Sequence, residues 1–125
     1  GGVAGHAGLF STAGDLAVFA RMMLDGGVAS GTQFFTNTTV RDFTTPGPGW
    51  RALGWETCWG GGSCGRFLTL RAFGHTGFTG TSMWIDPERG IYVVFLTNRV
   101  NPTRENTAIQ RVRPALHDAV IAAVS

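Results

Sequence analysis

The run Ile91-Tyr92-Val93-Val94-Phe95-Leu96 constrains the fold most, because it is nearly unbroken apolar sequence. It is too short to span a bilayer and suits a strand covered on both faces. The stretch Thr81-Ser82-Met83-Trp84-Ile85-Asp86 precedes it across Pro87-Glu88-Arg89-Gly90. Proline and glycine there predict a tight turn, so residues 81–86 and 91–98 read as two joined strands. Helices are expected to cover the second strand.

The helices are legible from their caps. Ser11 or Thr12 can open one, and Thr12 with Asp15 has the capping-box spacing. Leu16, Phe19, Met23 and Leu24 fall on one face, and Gly26-Gly27 stops the run. Met22 and Met23 read as packing, not as a ligand set. A second helix is expected over about 36–44, ended by Pro46, with Pro46-Gly47-Pro48-Gly49 as a turn. A last helix follows the Asn101-Pro102 break and runs to about Val124. Ile109, Val112, Leu116, Val120 and Val124 mark its apolar stripe, and Pro114 predicts a kink or restart. Between the helices, 50–57 and 67–73 read as further strands, with Gly60-Gly61-Gly62 between them.

Ahead of the two joined strands lies Gly74-His75-Thr76-Gly77-Phe78-Thr79-Gly80. Glycine lets a ligand or another backbone come close, and the imidazole and hydroxyls place polar groups beside that open backbone. At the start of a strand this is a candidate substrate-facing edge.

At 125 residues the chain is at most one domain, and its net charge of +2 is too small to argue for nucleic acid or an anionic membrane. No apolar run is long enough for a membrane span, and no signal peptide is present. All 10 basic residues are arginine. The sequence opens at Gly1-Gly2-Val3 without methionine and reads as a segment of something longer.

Several of these residues together resemble the C-terminal part of the serine β-lactamase-related hydrolases: class C β-lactamases, penicillin-binding DD-peptidases and related esterases. The resemblance rests on Gly74-His75-Thr76-Gly77 before a strand, Asp86-Pro87-Glu88, and the apolar strand ending Thr97-Asn98-Arg99. Asn101-Pro102-Thr103-Arg104 before a helix and the opening Gly5-His6-Ala7-Gly8-Leu9-Phe10-Ser11-Thr12 extend it. It implies an α+β fold, an antiparallel sheet flanked by helices, with residues 1–125 forming the C-terminal portion of one domain. It also implies acyl-enzyme chemistry on amides or esters such as β-lactams, cell-wall peptides or small esters, with no cofactor and no metal. His75-Thr76-Gly77 is similar to the family's third motif, K-T-G or H-T-G. By resemblance His75 orients a tyrosine and the substrate, and Thr76 bonds the substrate's acidic group. Gly77 keeps the edge clear, and Phe78 gives its backbone N–H to the oxyanion hole. Asn101 and Arg104 are similar to a turn that meets substrate carboxylates. The family places His6 near the site, although its plainer reading is structural. A periplasmic or secreted location is implied as well.

The departures are as informative. Without lysine there is no S-x-x-K, and Tyr92 is followed by Val93-Val94, so there is no Y-x-N. The nucleophile and its base are therefore expected N-terminal to Gly1, in a missing part of the same domain that acts as partner to this one. The segment alone is expected to be inactive and poorly soluble. Histidine in place of lysine at position 75 favours esterase or peptidase chemistry over efficient β-lactamase activity. The alternatives are a non-catalytic peptidoglycan-binding or scaffold homologue, and a small disulfide-stapled interaction domain.

His117 reads as a solvated helix residue, and Arg111 and Arg113 as exposed charges. Cys58 and Cys64 make a poor zinc site without a histidine pair. A local disulfide in an exported protein and two free thiols both remain open.

Overall fold

The computed structural model describes residues 7–124. Three helices and a four-stranded sheet follow in the order α1 (Ala13–Leu24), β1 (Val28–Ala29), β2 (Thr32–Gln33), α2 (Asn37–Thr44), β3 (Glu56–Thr57), β4 (Phe73–Thr76), β5 (Ser82–Asp86), β6 (Ile91–Phe95) and α3 (Ile109–Val124). The main sheet is antiparallel in the order β3-β4-β5-β6, and β1 pairs with β2 separately. His6 lies outside the described residues.

Local chemistry explains the helix ends. Thr12 Oγ1 accepts the Asp15 N–H at 3.1 Å, and its hydroxyl donates to the Asp15 carboxylate at 3.0 Å. Asp15 also sets a negative charge at the positive end of the helix. At the far end Gly27 has φ +94, and a Cβ there would lie 2.1 Å from the Phe35 carbonyl, so only glycine fits. Thr36 caps α2 by accepting the Thr39 N–H at 3.1 Å.

Strand alternation then splits the core in two. Phe73 and Ile85 sit opposite each other on β4 and β5 and pack with Ala20, Met22, Met23 and Val40 from α1 and α2. Trp84 faces the other way, toward Leu68, Ala72 and Ile121 of α3, beside the Cys58–Cys64 disulfide. Trp84 lies across from Gly74, where a Cβ would stand 2.6 Å from its indole and 2.3 Å from the Met83 carbonyl. The glycine at 74 is thus a packing requirement.

Several expectations are corrected. Residues 50–57 are not one strand: only Glu56 and Thr57 join the sheet, and Arg51 folds back to bridge Glu56, because Gly54 (φ +81) turns the chain and Ala52 N–H donates to the Trp55 carbonyl at 3.0 Å. The second run, 67–73, is mostly loop and enters the sheet only at Phe73. The strand β6 is an edge of the sheet within this chain. Tyr92 packs on the α1 side and Ile91 on the α3 side, but among its residues only Val93 is buried. The helix α3 passes through Pro114 without restarting. Its buried face is Ile109, Arg113, His117 and Ile121, and Val112 and Val124 are exposed. Arg113 (9% exposed) and His117 (0%) are therefore interior, contrary to the solvated reading. Arg111 is exposed as expected.

Candidate active site

The sheet leaves β4 open where the His-Thr-Gly stretch begins. The short strand β3 covers β4 only at Phe73 and Gly74. His75 and Thr76 pair with Met83 and Ser82 of β5 on one side and with no strand on the other. Gly77 N–H donates to the Thr81 carbonyl at 2.8 Å, which fixes the phase of the ladder. In an antiparallel ladder alternate residues turn both backbone groups to the same neighbour. His75 and Gly77 thus face β5, and Thr76 turns its N–H and C=O to the open side. The Cys58 N–H bond to the Ala72 carbonyl, 2.9 Å, fits the same phase four residues earlier.

The turn after the strand is held through its carbonyls. Gly77 O accepts from Gly80 N–H at 3.1 Å and from Arg113 Nη2 at 2.6 Å. Thr81 O also accepts from Arg113 Nη2, at 2.8 Å. Phe78 O accepts from Arg99 Nε at 2.7 Å, Thr79 O from Arg99 N–H at 2.8 Å, and Gly80 O from the Thr97 hydroxyl at 2.8 Å. The Arg99 guanidinium also lies 4.2 Å from the Phe78 ring centroid. Among the described residues the Phe78 N–H donates to no carbonyl. A Cβ on Gly77 would stand 2.1 Å from the Thr81 hydroxyl, so glycine lets the turn close.

His75 and Thr76 point to opposite faces. His75 is exposed, and its Nδ1 lies 2.8 Å from the Thr76 carbonyl. A carbonyl only accepts, so Nδ1 carries the hydrogen and Nε2 is left as the basic nitrogen. Thr76 lines a cleft of about 620 Å³ with Glu56, Ser63, Gln110, Arg113 and Asp118. The loop 101–106 reaches the turn through Arg99, whose Nη1 donates to the Arg104 carbonyl at 2.7 Å. Asn101 and Arg104 are exposed. Thr76, Gly77, Phe78 and this loop are brought together; the His75 ring stands on the other face of the strand.

Two supports were not legible as such in the sequence. Arg113 grips the turn, and burial lowers its pKa, although a guanidinium stays charged. His117 Nδ1 donates to the Ser63 carbonyl at 2.8 Å, and its ring meets Trp84 edge-on at 6.4 Å. Burial lowers the His117 pKa, outweighing the Ser63 bond and the Asp118 charge, so the ring is held neutral. Asp118 accepts the Arg66 N–H at 2.6 Å and the Phe67 N–H at 3.1 Å, fastening the cleft wall to α3. Burial alone would raise the Asp118 pKa, but these bonds and the Arg66 guanidinium hold it below its usual value. The disulfide closes that wall as well, which settles the cysteine alternatives in favour of the pair. No helix is long and apolar enough to cross a membrane, and no cluster of metal-ligating side chains occurs among the described residues.

Similarity to known proteins agrees with this architecture. The family model described as Beta-lactamase matches residues 1–117. A protein named "Putative D-alanyl-D-alanine carboxypeptidase" from Escherichia coli K12 is 42% identical over 106 residues, covering 79% of this chain and 24% of that protein. A protein of the same name from Salmonella typhi is 41% identical over 104 residues, with coverages of 79% and 24%. The chain thus spans about 24% of the length of the curated relatives it matches. A crystal structure of a β-lactamase from Mycobacterium bovis superposes with a TM-score of 0.70 at 28% identity, over 90% of this chain and 44% of that one.

Proposed function

The chain belongs to the β-lactamase family, and from that premise we propose that it forms the substrate edge and part of the oxyanion hole of a serine hydrolase acting on amides or esters. The observation that carries the reading is the open edge of β4, with Thr76 and the Phe78 N–H unpaired by any strand. A serine of an S-x-x-K motif, outside this chain, attacks the substrate carbonyl. The carbonyl oxygen becomes an anion and accepts a hydrogen bond from the Phe78 N–H. One such donor contributes roughly 3–4 kcal/mol in related acyl transfers. The serine proton passes to its base, the C–N or C–O bond then breaks as the leaving group takes that proton, and water hydrolyses the acyl-enzyme. An extended substrate can lie antiparallel to Thr76, using its outward N–H and C=O as a further strand would.

The Thr76 hydroxyl bonds the acidic group of the substrate, and Asn101 and Arg104 stand on a loop tied to the same turn. His75 keeps Nε2 free to exchange a proton with a tyrosine supplied from outside this chain. The names of the relatives support a peptide ending in D-alanyl-D-alanine as the substrate class, and with it a periplasmic or secreted site of action.

Thr76→Val tests the substrate reading in protein carrying the whole catalytic domain. It is expected to weaken kcat/KM on a D-alanyl-D-alanine-ended peptide by about 1–3 kcal/mol more than on a neutral p-nitrophenyl ester, because a charge-assisted bond is lost only with the former. Equal losses on both would remove the carboxylate from the model of binding.

A further inference from the structure

We propose that Arg113 is a positioning residue for acyl transfer: from behind the strand, through the Gly77 carbonyl, it aims the Phe78 N–H at the oxyanion. The inference rests on the serine-hydrolase reading above. The Gly77 carbonyl and the Phe78 N–H belong to one peptide group. In a trans peptide the two point in opposite directions, so fixing one fixes the other. Arg113 Nη2 holds that carbonyl at 2.6 Å and the Thr81 carbonyl, at the other end of the turn, at 2.8 Å. The peptide plane cannot then rotate without breaking a charge-assisted bond. The same bond polarises the peptide and makes the N–H a better donor.

Three features separate this contact from ordinary helix packing. Arg113 is 9% exposed, yet no carboxylate forms an ion pair with it among the described residues. Its Nε has no partner there either. Glu56 acts on this guanidinium only from beyond ion-pair distance, which makes its burial costly, and among the described residues its hydrogen bonds go only to the turn that carries Phe78. Arg99 secures the following peptide through the Phe78 carbonyl, so the donor is fixed on both sides.

The test compares wild type, Arg113→Met and Arg113→Lys in protein with the whole catalytic domain. The probes are p-nitrophenyl acetate, its thiono counterpart, phenylboronic acid and N-acetyl-D-alanine. Methionine removes both bonds; lysine keeps the charge but not the planar fork. For Arg113→Met, acylation by the oxo ester should fall about 10- to 100-fold, part of what losing a whole donor costs. The preference for oxo over thiono ester and the affinity for phenylboronic acid should fall with it. N-acetyl-D-alanine, which reads ground-state binding in the cleft that Arg113 shares with Thr76, should lose far less affinity than phenylboronic acid does. Arg113→Lys should recover part of each loss.

A folded Arg113→Met enzyme with wild-type oxo preference and boronate affinity overturns the proposal. So does a uniform loss that includes N-acetyl-D-alanine, which marks a structural role. If methionine prevents folding, the lysine variant decides: a reduced oxo preference with far less loss of affinity for N-acetyl-D-alanine than for phenylboronic acid upholds the proposal, and wild-type values overturn it. A wild-type protein inert to both esters and to phenylboronic acid overturns the serine-hydrolase reading itself, and this inference with it.

Discussion

Replacing His75 by alanine, in protein with the whole catalytic domain, is expected to lower the acylation rate by about 10²–10⁴-fold on acidic and neutral substrates alike. The ring is exposed at the open end of β4, and its Nδ1–H is committed to the Thr76 carbonyl. Only Nε2 is therefore free to exchange a proton. Because the side chain is not buried, its removal leaves no cavity, and folding should be unaffected. Pre-steady-state acylation kinetics, with a melting curve as control, check this. Wild-type rates in the folded variant would make His75 a structural residue and favour a homologue that binds peptidoglycan without cleaving it.

Asp86→Ala is expected to destabilise the domain by at least about 1–3 kcal/mol, the cost of leaving a buried donor without its acceptor. Asp86 is 0% exposed and accepts four hydrogen bonds. Two come from Thr69, backbone at 2.9 Å and hydroxyl at 2.8 Å, and two from the N–H groups of Glu88 and Arg89 at 3.1 and 3.3 Å. The carboxylate thus joins the turn between β5 and β6 to the loop that leads into β4. Alanine leaves these donors without an acceptor. Denaturant titration of both proteins measures the difference, and a loss below about 1 kcal/mol would show that water replaces the carboxylate at little cost.

The parts of the fold that could be read from sequence are those set by neighbouring residues. Thr12 caps α1, the second helix lies within 36–44, and Pro87 to Gly90 turns the chain between two strands. The antiparallel sheet with helices on it follows from these, whereas His75 and Thr76, read as lying ahead of the strand 81–86, instead end β4. What escaped was decided by partners distant in sequence. Arg113 and His117 look like surface residues by hydropathy. They are interior because backbone carbonyls 36 and 54 positions away accept their hydrogens. That is why, of the expected stripe Ile109, Val112, Leu116, Val120 and Val124, only Ile109 is buried. The i, i+4 spacing of Ile109, Arg113, His117 and Ile121 was the available signal, since each end of that row is aliphatic. The aromatic run 50–57 misled for the opposite reason. Trp55 packs between Phe19 and Phe73, but from a turn that Gly54 makes and not from a long strand.

The oxyanion role of Phe78 can be observed at its own amide. Protein with the whole catalytic domain is labelled with ¹⁵N-phenylalanine, and the Phe78 signal is identified by its loss in Phe78→Leu. Phenylboronic acid then forms a tetrahedral anion on the nucleophilic serine, which ¹¹B NMR registers independently. The Phe78 amide proton is expected to move downfield on adduct formation, as a donor to an anionic oxygen does. An unmoved Phe78 amide in a protein whose serine carries the boronate would contradict the placement of the oxyanion hole at this turn.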